Sequence, residues 1–147
     1  MQGVHQPDPD HAIPFLTFVG ASLLEWSEGQ AVVVLPIDER HLNRSGVVHG
    51  GLYSVLIDAA GGLAGCHSPD PARPRRAITL SLTTSFTGQI RVGRMTARAC
   101  VRKQGSRIFF STVEIFDDRG ELAALGEGTF RLRSDSPSEA AAHAPRS

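Results

Sequence analysis

The sequence predicts one α+β domain in which a single long helix packs against about six mostly antiparallel strands. Three observations lead to this fold class. One stretch near the middle of the chain spaces its apolar residues as a helix does, whereas the segments around it alternate apolar and polar residues as half-buried strands do. Turn residues separate the strand segments at hairpin spacing. At 147 residues the chain can bury a core without help from disulfides or a metal.

The first predicted elements follow a polar, Pro-rich stretch that we assign as a loose arm at residues 1–12. Residues 18–26 and 30–37 are two strand-like runs, and Ser27-Glu28-Gly29 between them is typical of a hairpin turn. At the other end, residues 134–147 have the composition of a disordered tail. The folded domain is therefore expected at residues 13–133.

The helix is predicted from about residue 50 to residue 66. Its apolar stripe consists of Leu52, Val55, Leu56, Ala59, Ala60 and Leu63. Residues 77–86, 92–103, 107–116 and 122–132 then alternate as strands. The turns between these strands are expected at Gly88, Gly93, Gln104-Gly105 and Asp118-Arg119-Gly120.

A second face of the helix carries only small residues around Asp58. These residues are Ser54, Gly61, Gly62 and Gly65. Each glycine inside a helix costs about 1 kcal/mol relative to alanine. We therefore expect something to approach this face closely, either the backbone of a partner subunit or a substrate chain.

Composition excludes several classes of protein. The N-terminus lacks the pattern of a signal peptide, and no run approaches the roughly 18 apolar residues of a membrane span, so a soluble cytoplasmic protein without a membrane partner is expected. Cys66 and Cys100 are too few for a disulfide framework and are expected to be buried. The six histidines lack ligand spacing, so neither a metal nor another cofactor is expected.

The formal net charge of zero conceals an uneven distribution. Between Pro71 and Val113 the chain carries many basic residues and no Asp or Glu, which indicates a local anionic ligand such as a phosphate. The best candidates lie at a strand turn with a glycine: Arg102, Lys103, Gly105 and Arg107. Competing candidates in the preceding loop are Arg73, Arg75 and Arg76. Nucleic acid is not an expected partner, because the segment lacks aromatic residues for base stacking.

The most informative motif spans the predicted helix start. It consists of Asn43, Gly46, His49, Gly50 and Gly51, followed by Asp58. Paired glycines at a helix N-terminus leave approachable N–H groups at the positive end of the helix dipole, where an oxyanion could bind. Paired glycines alone would more often form a simple turn, and Asp58 alone would more often be solvated. Their combination favours a catalytic site.

This motif resembles the hotdog-fold acyl-CoA thioesterases of the phenylacetate-pathway and 4-hydroxybenzoyl-CoA type. The resemblance covers about residues 14–133 and is specific in the Asn, His-Gly-Gly and Asp segment. It implies a curved antiparallel sheet wrapped around one long helix, with two protomers joined edge to edge. It also implies hydrolysis of an aryl- or medium-chain acyl-CoA to the free acid and CoA.

The resemblance further implies a role for each residue of the motif. Asp58 would be the catalytic carboxylate, acting as general base or as nucleophile. Gly50 would donate its N–H to the thioester carbonyl, with Gly51 beside it as a substrate contact. Asn43 would orient the thioester or the water, and His49 would support the loop. Thr79 falls where some relatives place a hydroxyl that positions the attacking water.

Helix geometry predicts that the site is shared between subunits. Gly50 and Asp58 are eight residues apart, which corresponds to about 12 Å along a helix, too far for both to reach one carbonyl carbon. A homodimer, or a dimer of dimers, with antiparallel helices could bring the two together.

The acyl pocket is expected to involve Phe15, Leu16, Leu52, Tyr53 and Leu56. The alternative functions are a non-catalytic acyl-CoA-binding protein and an enoyl-CoA hydratase. A hydratase would need a suitably spaced histidine after Asp58, which this sequence lacks.

Overall fold

The computed structural model describes residues 13–133, so the predicted arm and tail lie outside the described residues. In chain order the elements are α1 (Pro14–Val19), β1 (Ser22–Ser27), β2 (Gln30–Pro36), a 3-10 turn (Glu39–His41), α2 (Gly50–Cys66), β3 (Ala77–Phe86), β4 (Arg94–Gln104), β5 (Ile108–Phe116) and β6 (Leu122–Leu132). The strands form one sheet in the order β1-β2-β4-β5-β6-β3, in which every pairing is antiparallel. Helix α2 lies against all six strands, so the predicted hotdog architecture is confirmed.

The predicted first strand is wrong at its beginning, because residues 14–19 are helical. Pro14 occupies the first turn, where its missing N–H costs nothing. Gly20 ends the helix with a φ of 89°, and Ala21 donates its N–H to the Leu16 carbonyl at 2.8 Å. Strand β1 therefore begins only at Ser22, and the apolar residues of α1 do not alternate along a strand.

Helix α2 is apolar over a wider arc than the predicted stripe. Its sheet-facing side is formed by Tyr53, Leu56, Ile57, Ala60 and Ala64, all of which are buried. Of the predicted stripe, only Leu56 and Ala60 belong to this side. The other four stripe residues are only partly buried, so they form a second apolar surface beside the sheet-facing one. Within residues 13–133, no helix is long and apolar enough to cross a membrane.

The glycines of α2 have a structural reason that differs from the expected one. Gly61 and Gly65 lie under the stacked rings of Phe109 and Phe130, whose centroids are 5.1 Å apart. A Cβ at Gly65 would overlap the Phe109 ring, and a Cβ at Gly61 would lie 3.0 Å from Phe130. The close approach that we expected from a partner subunit or a substrate is therefore made by two aromatic residues of the same chain.

Candidate active site

The loop before α2 is held by the side chain of Asn43. Its Oδ1 accepts hydrogen bonds from the N–H groups of Ser45 at 2.9 Å and Val47 at 3.3 Å. Gly46 has a φ of 72°, a conformation that favours glycine. Both bonds of the Asn43 side chain use Oδ1, so its Nδ2 group is the part that can donate to a ligand.

The first turn of α2 uses its N–H groups unequally. His49 is the N-cap, and its Nδ1 accepts the N–H of Gly51 at 3.0 Å. The N–H of Leu52 donates to the His49 carbonyl at 3.0 Å. In the part of the chain that the structure describes, the Gly50 N–H has no partner. Gly50 therefore presents the available donor at the positive end of the helix, whereas Gly51 is used by the cap.

Gly50 and Gly51 also differ in the space that surrounds them. A Cβ at Gly51 would lie 3.1 Å from the Nδ1 atom of His49, so this glycine is needed for the cap. A Cβ at Gly50 would meet the Phe86 ring at 3.6 Å, which is an ordinary contact. Nothing within the described chain requires glycine at position 50.

Asp58 is paired with the strand at the edge of the sheet. Its Oδ1 accepts a hydrogen bond of 2.5 Å from the Thr79 hydroxyl on β3. Thr79 lies opposite the buried Phe130 in the β3–β6 register, which directs its side chain to the helix face of the sheet. A second bond of 3.0 Å, between Ser54 and Thr84, holds the same two elements together. Asp58 is thus oriented by β3 and remains half-buried.

Asp58 and Thr79 line a cavity of about 500 Å³ beside the second half of α2. Its apolar lining includes Leu23, Trp26, Ala59, Leu63 and Cys66. Trp26 is fixed in this wall because its Nε1 donates to the Leu63 carbonyl at 2.7 Å. The cationic lining consists of Arg75, Arg76 and Arg133. The cavity therefore joins a carboxylate, an apolar wall and a group of arginines.

The thiol in this cavity is not a second reactive group. Cys66 is buried, and burial raises the pKa of its thiol to about 11, against a smaller lowering by Arg75. A thiol must ionise to act as a nucleophile. At neutral pH the Cys66 thiol is therefore protonated.

Comparison with known proteins identifies the family. A sequence profile described as the thioesterase superfamily matches residues 45–124, which is more than half of the chain. The chain belongs to this superfamily. It is a thioester hydrolase. The matched residues include the His-Gly-Gly turn, Asp58 and Thr79, which are the elements of the site described above.

Individual relatives agree with this assignment. A Pseudomonas aeruginosa protein named provisionally as an esterase, PA0474, is 36% identical over 107 residues, covering 72% of this chain and 78% of its own. Human acyl-coenzyme A thioesterase 13 is 25% identical over 113 residues, covering 76% and 79%. The solved structure of a variant of the phenylacetic acid degradation protein PaaI from Thermus thermophilus is 30% identical, covers 81% and 98%, and superposes with a TM-score of 0.72.

The residues of this thioesterase that were predicted to bind a phosphate lie away from Asp58. Arg102 donates from Nε to Thr112 at 2.7 Å. The neighbours of Thr112 along β5, Ser111 and Val113, are buried under α2, so Thr112 and Arg102 lie on the opposite face of the sheet. The remaining members of the predicted turn, Lys103, Gly105 and Arg107, are exposed and do not line the Asp58 cavity.

The predicted acyl pocket also needs correction. Leu16, Tyr53 and Leu56 are buried in the core, and the Tyr53 hydroxyl accepts the N–H of Ile90 at 3.2 Å. Leu52 lines a separate cavity of about 460 Å³ beside the helix start, whose lining also includes His49 and Gly51. Phe15 is exposed. The apolar wall near Asp58 is formed by β1 and the second half of α2 instead.

Trp26 and Arg133 are cavity residues of this thioesterase that the sequence analysis missed. They lie 32 residues before and 75 residues after Asp58 in the chain. Only the order of the strands brings them to one cavity. A single tryptophan within an amphipathic strand was the one local signal for Trp26, and Arg133 had none.

Proposed function

We propose that this thioesterase hydrolyses acyl-CoA thioesters with Asp58 as the catalytic carboxylate. The observation that carries the proposal is the Asp58–Thr79 hydrogen bond at the wall of an apolar cavity. Thr79 occupies Oδ1, so Oδ2 is the oxygen that takes a proton from water or attacks the carbonyl carbon. As a base, Asp58 would take a proton from water while the water oxygen bonds to the carbonyl carbon. The C–S bond then breaks, and the proton held by Asp58 passes to the departing thiolate.

The developing oxyanion is assigned to the Gly50 N–H. This donor lies at the N-terminus of a helix of 17 residues, where the dipole favours negative charge. Asn43 is proposed to donate from Nδ2 to the same carbonyl or to the water. His49 is proposed to act through the Gly51 cap that fixes the turn. A thioester carbonyl needs no stronger electrophile, because its resonance is weaker than that of an ester.

A homodimer completes the proposed site. Gly50 and Asp58 are about 12 Å apart along one helix, so the donor and the carboxylate at one thioester come from different protomers. Strand β3 lies at the edge of the sheet and exposes apolar side chains, including Ile78, Leu80 and Phe86. A long apolar edge strand favours pairing with a second copy. Pairing of two β3 strands would also bring each Asp58 close to the protomer boundary.

CoA is the proposed leaving group. A relative whose name specifies acyl-coenzyme A as its substrate supports this choice. Within the acid-free segment, the β4–β5 turn with Arg102, Lys103, Gly105 and Arg107 is proposed to reach the nucleotide phosphates. This turn is adjacent to the end of β6, because Leu132 donates its N–H to the Arg107 carbonyl at 2.8 Å.

The test of the proposed function is thiol release from a panel of aryl- and alkyl-CoA substrates. Asp58→Asn keeps the shape of the side chain and removes its charge, so kcat should fall at least about a hundredfold. The melting temperature should change little. The matched control is Glu127→Gln, which makes the same chemical change at an exposed position of β6 and should keep normal turnover.

Two outcomes would contradict the proposal. Near-wild-type turnover of Asp58→Asn would remove Asp58 from the chemistry. Binding of acyl-CoA by the wild-type protein without any thiol release would favour the non-catalytic acyl-CoA-binding protein.

A further inference from the structure

Three arginines gather at the end of the Asp58 cavity farthest from the helix start. Arg76 and Arg133 are held side by side, since the Arg133 N–H donates to the Arg76 carbonyl at 2.8 Å. The Arg75 guanidinium donates to the His67 carbonyl at 3.3 Å, which places it at the C-terminus of α2. His67 follows Asp58 by nine residues, so the carbonyl that Arg75 contacts is roughly 13 Å from Asp58 along the helix.

The wall between the two ends of the cavity is apolar. Its lining includes Leu23, Trp26, Ala59, Leu63 and Cys66. The indole N–H of Trp26 is already bonded to the Leu63 carbonyl, and the Cys66 thiol is a weak donor. A segment that crosses this wall finds few hydrogen-bond partners. Among the described residues that line the cavity, Asp58 is the one acid and the three arginines are the cations.

This arrangement matches a hydrocarbon chain with an anion at its far end. We propose that the acyl group of the substrate crosses the cavity and carries a carboxylate, which binds Arg75, Arg76 and Arg133. The proposal rests on the proposed function and names its substrate class, ω-carboxyacyl thioesters or aryl thioesters with a distal carboxylate. Guanidinium groups bind carboxylates with paired, charge-assisted hydrogen bonds.

The same anion chemistry could come from a CoA phosphate. In that case the pantetheine arm would cross the apolar wall, and its two amides would lose water there. An amide buried without a hydrogen-bond partner is unfavourable, whereas methylene groups gain from burial. The composition of the wall therefore favours the acyl chain over pantetheine.

The test compares pairs of acyl-CoA substrates that differ only in ending with a methyl group or a carboxylate. The distance of roughly 13 Å corresponds to about ten extended chain bonds, so the series should cover chains of about six to twelve carbons. We expect kcat/KM to be at least about tenfold higher for the carboxylate-ended member at the best length. The preference should shrink as salt is added, because the arginines are partly solvated.

Variants of Arg75 test the assignment of the anion. Arg75→Gln should lower kcat/KM for the carboxylate-ended substrate about tenfold, and Arg75→Lys should recover part of it by restoring the charge. The control is Arg98→Gln. Arg98 is exposed between the buried Ala97 and Ala99, so it lies on the face of the sheet away from the cavity and should leave both substrates unaffected.

Substrates without the nucleotide separate the two sources of the anion. The carboxylate preference and its loss in Arg75→Gln should persist when the same acyl groups are presented on pantetheine. If Arg75→Gln instead weakens all CoA thioesters equally and spares the pantetheine thioesters, the arginines bind a CoA phosphate and the proposal is wrong. Equal turnover of methyl-ended and carboxylate-ended substrates at every length also overturns it.

Failure of this proposal is distinguishable from failure of the proposed function. Thiol release from methyl-ended acyl-CoA without a carboxylate preference would leave hydrolysis standing and reject the carboxylate. If no thioester releases thiol, the affinity of each thioester can still be measured from the change in Trp26 fluorescence. Trp26 is the only tryptophan of the chain and is part of the cavity wall. The carboxylate-ended member must then bind at least about tenfold more tightly, or the proposal is rejected.

Discussion

The glycines of helix α2 differ in what surrounds them. Gly61 and Gly65, in its second half, lie against Phe130 and Phe109, and an added Cβ would collide with those rings. Gly50, at its first position, has room for a Cβ within its own chain. Packing explains Gly61 and Gly65, whereas no contact within the described chain requires glycine at position 50.

The difference shows how to separate structural glycines from functional ones. A glycine that permits close packing is recognised by the atoms that a methyl group would displace. A glycine that serves a ligand has space around it and a backbone N–H without a partner, as Gly50 has among the described residues. Gly51, next to it, belongs with the structural group because its N–H and its space are both used by His49.

Substitution in the packed group should produce the largest change in stability. Gly65→Ala inserts a methyl group against Phe109, a fully buried ring that is stacked on Phe130. Overpacking of this kind costs about 1–3 kcal/mol, which exceeds the gain in helix propensity of about 1 kcal/mol at most. The free energy of unfolding, measured with a chemical denaturant, should therefore fall.

The matched control is Gly62, the remaining glycine in the second half of the helix. A Cβ at Gly62 would lie 3.4 Å from Phe130, at the edge of ordinary contact, and Gly62 is only half-buried. Gly62→Ala should therefore be neutral or slightly stabilising. Combining Gly65→Ala with Phe109→Leu should cost less than the sum of the two single substitutions, since the smaller side chain relieves the overlap. A Gly65→Ala protein as stable as wild type would contradict the claim that packing against Phe109 requires glycine at this position.

Substitution at the helix start should affect activity and spare stability. Gly50→Ala adds a methyl group beside the proposed oxyanion donor, where Phe86 is at an ordinary contact distance. The free energy of unfolding should stay the same or rise by up to about 1 kcal/mol, because alanine favours the helix. We expect kcat/KM to fall about tenfold, because the thioester can no longer approach the N–H closely.

Gly51→Ala sharpens this prediction. Its methyl group would crowd Nδ1 of His49, so the N-cap should weaken by about 0.5–2 kcal/mol. The two substitutions should thus differ in their effect on stability. Gly50→Ala should lower activity and leave stability intact, whereas Gly51→Ala should lower both. Full turnover by Gly50→Ala would show that the position is not at the thioester.

Much of the fold could be predicted because it depends on local patterns. The helix from residue 50 to 66 and the last four strands follow apolar periods and turn residues that are close together in the sequence. Helix α1 was missed because the predicted first strand begins at Phe18 and no element is predicted just before it, although Pro14 and Gly20 mark the start and end of a short helix.

The candidate site could be predicted only where it is local. Asn43, His49 and Gly50 lie within eight residues of one another, so one loop and one helix start hold them together. The partners of the helix glycines could not be predicted, since Phe109 and Phe130 reach α2 through the order of β5 and β6 in the sheet. Trp26, Arg75 and Arg133 meet at the cavity for the same reason.

The central claim is that the two ends of α2 serve the same reaction in different protomers. Subunit mixing tests it directly. Asn43→Ala and Asp58→Asn proteins should each be nearly inactive, but after subunits exchange in equal amounts half of the dimers are mixed. Each mixed dimer has one intact site of two, so about a quarter of wild-type activity should return if the oligomer is a two-fold dimer. Persistent inactivity, with exchange shown independently by a tagged protomer, would contradict the claim and place the whole site within one chain.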